Sequence, residues 1–164
     1  MSDRYDIWCD GACEGNGKPD GIGGWAYIRR DGTGSHSACG AISPASNNIA
    51  ELTAAIEALK TVPPKSVVTV YTDSKYVRDG MTSWLPSWKR KGWLTKQHQP
   101  VKNRPLWEQL DALCTTRQVI WKWIPGHAGH EFNEQCDALA VTAIYNYKFA
   151  SKRIEIPVTA EIGT

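Results

Sequence analysis

The chain has no CxxC pair, no HExxH motif, no apolar run approaching the thickness of a bilayer, and no acidic residue between positions 80 and 107. The first two absences leave Cys9 and Cys13, or Cys136 with His127 and His130, without the spacing of a zinc site. The third argues against a membrane-spanning helix, and the charged start from Met1 to Asp6 is unlike a signal sequence. A soluble product that stays where it is made is expected. A secreted disulfide framework is also poorly supported: five cysteines make an odd count, and 164 residues bury enough surface to be stable without crosslinks. Buried, reduced thiols in a cytoplasmic protein are the expectation. Net charge is scarce too, +2 from 19 Lys and Arg against 17 Asp and Glu, so total charge singles out no partner.

What is present is an ordinary globular composition, 41% hydrophobic and 22% charged, over a length close to one domain of about 150 residues. The charge is unevenly placed. Lys89, Arg90, Lys91, Lys96, Lys102 and Arg104 occupy the acid-free stretch, so a basic segment is attached to an acidic body. The same stretch holds Trp84, Trp88, Trp93 and Trp107, half of the chain's 8 tryptophans, although the chain has only 2 phenylalanines. Cations interleaved with flat rings suit a sugar-phosphate backbone, the cations displacing counterions and the rings packing on sugars and bases. A solvated charged helix whose tryptophans belong to the core would read the same way. If all six cations met phosphates, log K would fall against log salt with a slope of about −5 on a B-form duplex.

The path of the chain reads as α/β. Tyr5, Ile7 and Cys9 alternate with polar neighbours as a strand ending at Asp10, and a glycine-rich turn from Gly11 to Gly24 follows. Trp25–Arg29 and Ser35–Ala41 predict two more strands, joined through Asp31-Gly32-Thr33-Gly34 into an antiparallel meander. Ser46-Asn47-Asn48 offers an N-cap for a helix carrying Ile49, Leu52, Ile56 and Leu59, stopped by Pro63-Pro64. Val67–Thr72 is a β-branched strand ending at Asp73, and Ser74–Gly80 predicts a short helix closed by its glycine. A helix from Pro105, a strand from Val119 to Ile124, a loop from Pro125 to His130 and a helix from near Phe132 complete the path. The order predicts a five-stranded mixed sheet, three antiparallel strands and then parallel ones, flanked by helices. The first and fourth strands should lie side by side, with a site beyond the strand ends where Asp10 and Asp73 stand.

Asp10 and Asp73 follow strands, and Glu51 and Asp137 flank apolar helical stripes, so four acids are placed to converge at one rim of the sheet. A single acid at a strand end is an ordinary turn former; the case rests on all four. Two carboxylates about 4 Å apart repel by roughly 4 kcal/mol at an effective dielectric near 20, so such a cluster needs a cation. Oxygen-only ligands suit Mg²⁺ or Mn²⁺, and a pair of such ions activates water and stabilises the leaving oxygen of a phosphodiester.

Five stretches together resemble bacterial-type ribonuclease H, type 1. They are Cys9-Asp10-Gly11-Ala12-Cys13-Glu14-Gly15-Asn16; Ser46-Asn47-Asn48 with Ala50-Glu51-Leu52; Tyr71-Thr72-Asp73-Ser74 with Tyr76-Val77; Trp84 to Trp93; and Gly126-His127-Ala128-Gly129-His130 with Asn133-Glu134 and Cys136-Asp137. The resemblance implies a ribonuclease H-like fold and a Mg²⁺-dependent endonuclease, with Mn²⁺ as a substitute and two ions in the substrate complex. It would cut the RNA strand of RNA/DNA hybrids and leave 5′-phosphate and 3′-hydroxyl ends. Asp10, Glu51, Asp73 and Asp137 fall on the family's metal-binding acids, and His127 on its loop histidine, associated with proton transfer or product release. The family's basic protrusion matches Trp84 to Lys102, including Lys89, Arg90 and Lys91. Asn16, Asn47 and Lys75 are implied along the RNA strand, and Ser46, Trp84 and Asn103 on the DNA strand.

Pro44, Ile49 and Lys75 depart from the family pattern, where a DNA-phosphate arginine, a polar or basic residue and a glutamine are frequent; they bear on substrate binding and not on the acids. A monomer is expected, with a catalytic domain over residues 1–145, a tail over 146–164 and no second hybrid-binding module. The alternatives are a noncatalytic module for duplex nucleic acid, and a nuclease or strand-transfer enzyme of this architecture that acts on DNA.

Overall fold

The computed structural model describes residues 3–154. A five-stranded sheet in the order β3-β2-β1-β4-β5 runs through the centre. β1 (Arg4–Glu14), β2 (Ile22–Asp31) and β3 (Gly34–Ile42) form the antiparallel meander. β1 also pairs in parallel with β4 (Val67–Thr72), and β4 with β5 (Gln118–Trp123), as the order of elements predicts.

β1 corrects the expectation at its end. It does not stop at Asp10: its parallel register with β4 ends at Cys9 and Thr72, while its antiparallel register with β2 continues to Glu14 opposite Ile22. Pairing with β2 satisfies the backbone of Gly11 to Glu14, which outweighs their loop-like composition. The turn is confined to the residues between the two strands, where Gly15 and Gly17 take positive φ. Asp10 therefore sits at the step where β1 outruns β4.

One face of the sheet is covered by α1 (Asn47–Lys60) and, packed beside it, α4 (Arg104–Thr115). Ile7, Cys9, Val68 and Val70 from the strands meet Leu52, Ile56, Leu59, Trp107 and Leu110 in the main core. Each fully buried aliphatic side chain there contributes roughly 1.5–3 kcal/mol. On the other face α5 (Glu131–Ile154) lies over β1, β2 and β3, with Cys136 and Ala140 against Ala26 and Ile28. Residues 146–154, read as the start of an aperiodic tail, continue this helix; residues 155–164 lie outside the described residues. Val141 and Tyr145 are exposed, so the second half of α5 carries no clean apolar stripe to betray it.

A second correction concerns Gly80. It does not close α2 (Lys75–Asp79); it is right-handed, and the chain runs on through one wide π-helical turn, Gly80–Trp84, into α3 (Leu85–Arg90). Its role is room. A Cβ built on Gly80 would lie 2.0 Å from Cη2 of the fully buried Trp107. The glycine lets the indole of α4 pass beneath the helix that leads to the basic segment.

Candidate active site

Three of the four acids converge. One carboxylate oxygen each from Asp10, Glu51 and Asp73 can be chosen so that all lie within 4.8 Å of one another. Asp10 comes from the overrunning part of β1 and is 3% exposed. Glu51 comes from the first turns of α1, whose start is fixed by the Ser46 Oγ accepting from the Ile49 N–H at 3.2 Å. Asp73 follows β4, with its neighbour Ser74 donating a backbone N–H to Thr72 Oγ1 at 3.0 Å. Asp137, half-buried on α5, does not join this tight group, although its charge is among those that raise the pKa of Asp10.

Burial, and then the charge of Asp73, push the Asp10 carboxyl up to about 8. Burial first and the charges of Asp10 and Asp73 next hold Glu51 well above the usual carboxylate range. The compensation these groups receive is small. The Gly11 N–H donates to Asp10 Oδ1 at 2.9 Å, but no ion pair among the described residues involves Asp10, Glu51 or Asp73. Glu51 Oε2 is enclosed with no hydrogen-bond partner. An enclosed, unpartnered oxygen on one of three converging carboxylates fits a hard divalent cation, and the donor set is oxygen throughout. The five cysteines are free thiols, and no other group of three or more His, Cys, Asp or Glu among the described residues is arranged for a metal.

The remaining predicted site residues lie on loops, at helix starts and on the basic segment. His127 is exposed in the loop after β5, at φ 55, with no side-chain hydrogen bond among the described residues. That loop is stitched to α5 by the Gly129 N–H donating to Glu134 Oε1 at 3.3 Å. The Asn47 N–H donates to Asn16 Oδ1 at 2.9 Å, which joins the turn after β1 to the start of α1. Lys75, exposed, holds its Nζ 4.8 Å from the centre of the Trp123 ring. Asn103 takes a left-handed φ of 62 before α4 and donates its amide to the Tyr76 hydroxyl at 3.2 Å, beside the Trp107 indole, which donates to the same oxygen.

The basic segment is simpler than its sequence suggested. Trp107 is core, and Trp88 and Trp93 pack against it from the side, with Trp88 in ring contact with Trp84, Trp93 and Trp107. Only Trp84, 39% exposed, offers a substantially open ring. Lys89 pairs with Asp111 and Arg104 with Glu108, each at 3.0 Å. Arg90, Lys91, Lys96 and Lys102 stand exposed outside any ion pair among the described residues. A hollow of about 500 Å³ lies between Trp84, Trp88, Lys91 and Lys96, apart from the acids.

Trp123 and Gly126, absent from the predicted set, belong to the site as well. The Trp123 indole donates to the Asp73 carbonyl, and Gly126 lies against the Asp73 carboxylate. The one signal in the sequence was their position, at the end of a strand and at the head of the loop bearing His127.

Comparisons with known proteins agree with this geometry. The RNase H family profile matches residues 2–145. A ribonuclease HI of Neisseria meningitidis serogroup B is 46% identical over 140 residues, covering 85% of this chain and 94% of that protein. A ribonuclease H of Geotalea uraniireducens is 46% identical over 145 residues, covering 88% of this chain and 97% of that protein. The crystal structure of LC9-RNase H1, a type 1 RNase H with the type 2 active-site motif, superposes with a TM-score of 0.79 at 29% identity, over 89% of this chain and 74% of that one. With the mixed sheet and the acid cluster already in place, these matches establish that the chain belongs to the RNase H family of ribonucleases.

Proposed function

We propose that the protein hydrolyses the RNA strand of RNA/DNA hybrids at the Asp10, Glu51 and Asp73 cluster, leaving 5′-phosphate and 3′-hydroxyl ends. The observation that carries the reading is the convergence of three carboxylate oxygens, one each from Asp10, Glu51 and Asp73, within 4.8 Å of one another, and Glu51 adds an enclosed Oε2 with no hydrogen-bond partner. Asp10, Glu51, Asp73 and Asp137 would hold Mg²⁺, or Mn²⁺ in its place, with two ions expected in the substrate complex. Bound there, the metal supplies an activated water and stabilisation of the leaving oxygen.

The chain's own residues do the rest. His127 moves a proton from the loop between β5 and α5, a role that its exposure and its tethered loop favour. Asn16, Asn47 and Lys75 follow the RNA strand, and short amides suit the 2′-hydroxyl, a donor and an acceptor that DNA lacks. Ser46, Trp84 and Asn103 meet the DNA strand. Ser46 Oγ already accepts from the Ile49 N–H and the Asn103 amide already donates to Tyr76, so Ser46 contributes its hydroxyl hydrogen and Asn103 its amide oxygen.

The enzyme works as a cytoplasmic monomer whose catalytic domain spans residues 1–145, with α5 running on past that boundary to Ile154. Among the described residues, no helix is long and apolar enough to cross a membrane.

The test is cleavage of a labelled RNA/DNA duplex with Mg²⁺ and with EDTA. Cut RNA with 5′-phosphate ends in the first arm and intact RNA in the second is the expected pair. Hybrid retained but uncut under every divalent ion would indicate a binding module, and cleavage of duplex DNA would indicate a DNA enzyme.

The free cations of the basic segment set a second expectation. With all four on phosphates, the basic segment should contribute about −4 at most to the hybrid-binding slope of log K against log salt. Replacing Arg90 and Lys91 by alanine together should reduce that slope by about 2 and raise KM with kcat little changed. Titration of binding between low and moderate KCl measures it, and an unchanged slope would remove these residues from the interface.

A further inference from the structure

β5 ends at Trp123, on the strand next to the one that delivers Asp73. Beyond the strand pairing, the Ile124 N–H donates to the Thr72 carbonyl at 2.9 Å. The Trp123 indole N–H then donates to the Asp73 carbonyl at 3.0 Å. Asp73 lies between β4 and α2, outside both, so its carbonyl has no place in a ladder and takes its hydrogen bond from this side chain. Three residues on, Gly126 closes over the Asp73 carboxylate: a Cβ there would lie 2.6 Å from Oδ2.

The same indole has a second set of neighbours. Lys75 Nζ is 4.8 Å from the ring centre and Arg78 Cζ is 5.9 Å from it, both within cation–π range. Lys75 is two residues from Asp73, and an ammonium that close to a triad of carboxylates would be drawn onto it, where it would compete with a metal ion. No such pair forms: among the described residues Lys75 is in no ion pair, and its charge rests on the Trp123 face.

We propose that Trp123 is a positioning residue for the metal site: its N–H fixes Asp73 through the main chain, and its ring keeps the Lys75 ammonium off the acid cluster. The proposal rests on the reading of Asp10, Glu51 and Asp73 as metal ligands and adds the residue that keeps one of them placed and unneutralised. It also gives a physical sense to lysine at position 75, a position that an aromatic face makes tolerable beside an acid.

Titration calorimetry of Mn²⁺ into the metal-free protein tests it. Trp123→Phe keeps a ring and loses the N–H. It should bind Mn²⁺ about 10-fold more weakly, the scale of an outer-shell loss, while KM for hybrid at saturating metal stays within about twofold. Trp123→Leu loses both functions and should weaken Mn²⁺ further, and adding Lys75→Gln should restore part of that further loss. A purely structural tryptophan would lower the melting temperature and leave Mn²⁺ affinity alone, so an unchanged affinity in Trp123→Phe overturns the proposal.

The unmodified protein is the reference for both ideas. If it binds no Mn²⁺, the metal-site reading itself fails; if it binds and the variant binds equally, only the role of Trp123 does. Should the variants not fold, the unmodified protein still decides: among its 8 indole N–H resonances, that of Trp123 should move on Mg²⁺ titration with the midpoint of a parallel Mg²⁺ calorimetric titration, and an immobile signal would refute the proposal.

Discussion

Asp10→Asn is expected to abolish cleavage and, at the same time, to make the metal-free protein more stable. The catalytic loss should reach at least about 10³-fold in kcat, or roughly 4 kcal/mol of transition-state stabilisation, because the amide supplies no negative oxygen to a divalent ion. Hybrid binding should change by no more than about threefold, since phosphate contacts elsewhere supply most of the affinity. The gain in stability comes from the same carboxylate. Asp10 is buried against Asp73 and Glu51 with no cation in an ion pair, and its carboxyl is pushed up to about 8.

A folded pKa above the unfolded value of about 3.9 means that the native state binds more protons between those limits. The stability of the metal-free protein owed to this group is therefore full below about pH 4 and is lost as the pH rises towards about 8. Asparagine removes that loss. Taking half of the roughly 4 kcal/mol repulsion of one close carboxylate pair, because Glu51 and Asp73 still face each other, the variant should gain about 2 kcal/mol at pH 8. That corresponds to roughly 4–8 °C in Tm for a domain of this size. Thermal melts in EDTA at pH 5 and pH 8 measure it: the two proteins should differ little at the lower pH and clearly at the higher. Undiminished turnover would remove Asp10 from the chemistry, and equal melting at pH 8 would mean that the cluster is compensated. Mg²⁺ should reverse the ranking, because the parent retains the third carboxylate.

What was legible in the sequence, and what was not, follows from how local each signal is. Val67–Thr72 reads as a strand because a β-branched run carries its own preference, and α1 is announced by a cap at Ser46 and a stop at Pro63. Glu51 and Asp73 could be gathered because one lies on the capped helix and the other follows the β-branched strand, and Asp10 was gathered with them through a strand end that lies four residues further on. The misread places are those where a distant partner decides. Gly11 to Glu14 look like a loop until β2 pairs with them, and Gly80 looks like a helix terminator until Trp107 is seen to need its missing side chain. Trp88, Trp93 and Trp107 sit among cations in sequence yet pack into or against the core. Nothing local told that the Trp123 N–H meets a carbonyl 50 positions away. Asp137 shows the converse, since its helical position was read correctly while its carboxylate stays outside the tight group.

Gly11→Ala should be damaging although it touches no charged or hydrogen-bonding side chain. Gly11 follows Asp10 on β1, and there α1 comes down onto the strand: an added Cβ would lie 2.5 Å from the Glu51 backbone nitrogen and 2.6 Å from the Ala50 carbonyl carbon. Both atoms belong to one peptide bond of α1, which has no rotamer to yield, so the helix has to lift. The cost should be near the top of the range for overpacking, about 3 kcal/mol, or roughly 6–12 °C in Tm. The lift also separates Glu51 from Asp10, and a shift of about 1 Å between reacting groups is worth on the order of 10²-fold in rate. Melting temperature and kcat at saturating metal should therefore fall together. Gly32→Ala, with nothing within 4 Å, should leave both unchanged. Ala50→Gly offers a sharper discrimination. The Ala50 Cβ, 2.9 Å from the added atom, is the only side-chain atom among the three nearest contacts, so removing it in the Gly11→Ala background relieves the lesser clash and leaves the two backbone ones. Failure of that second change to restore activity is the expected result; full rescue would mean that α1 is held off β1 by side chains, and that the spacing of Asp10 and Glu51 is set elsewhere.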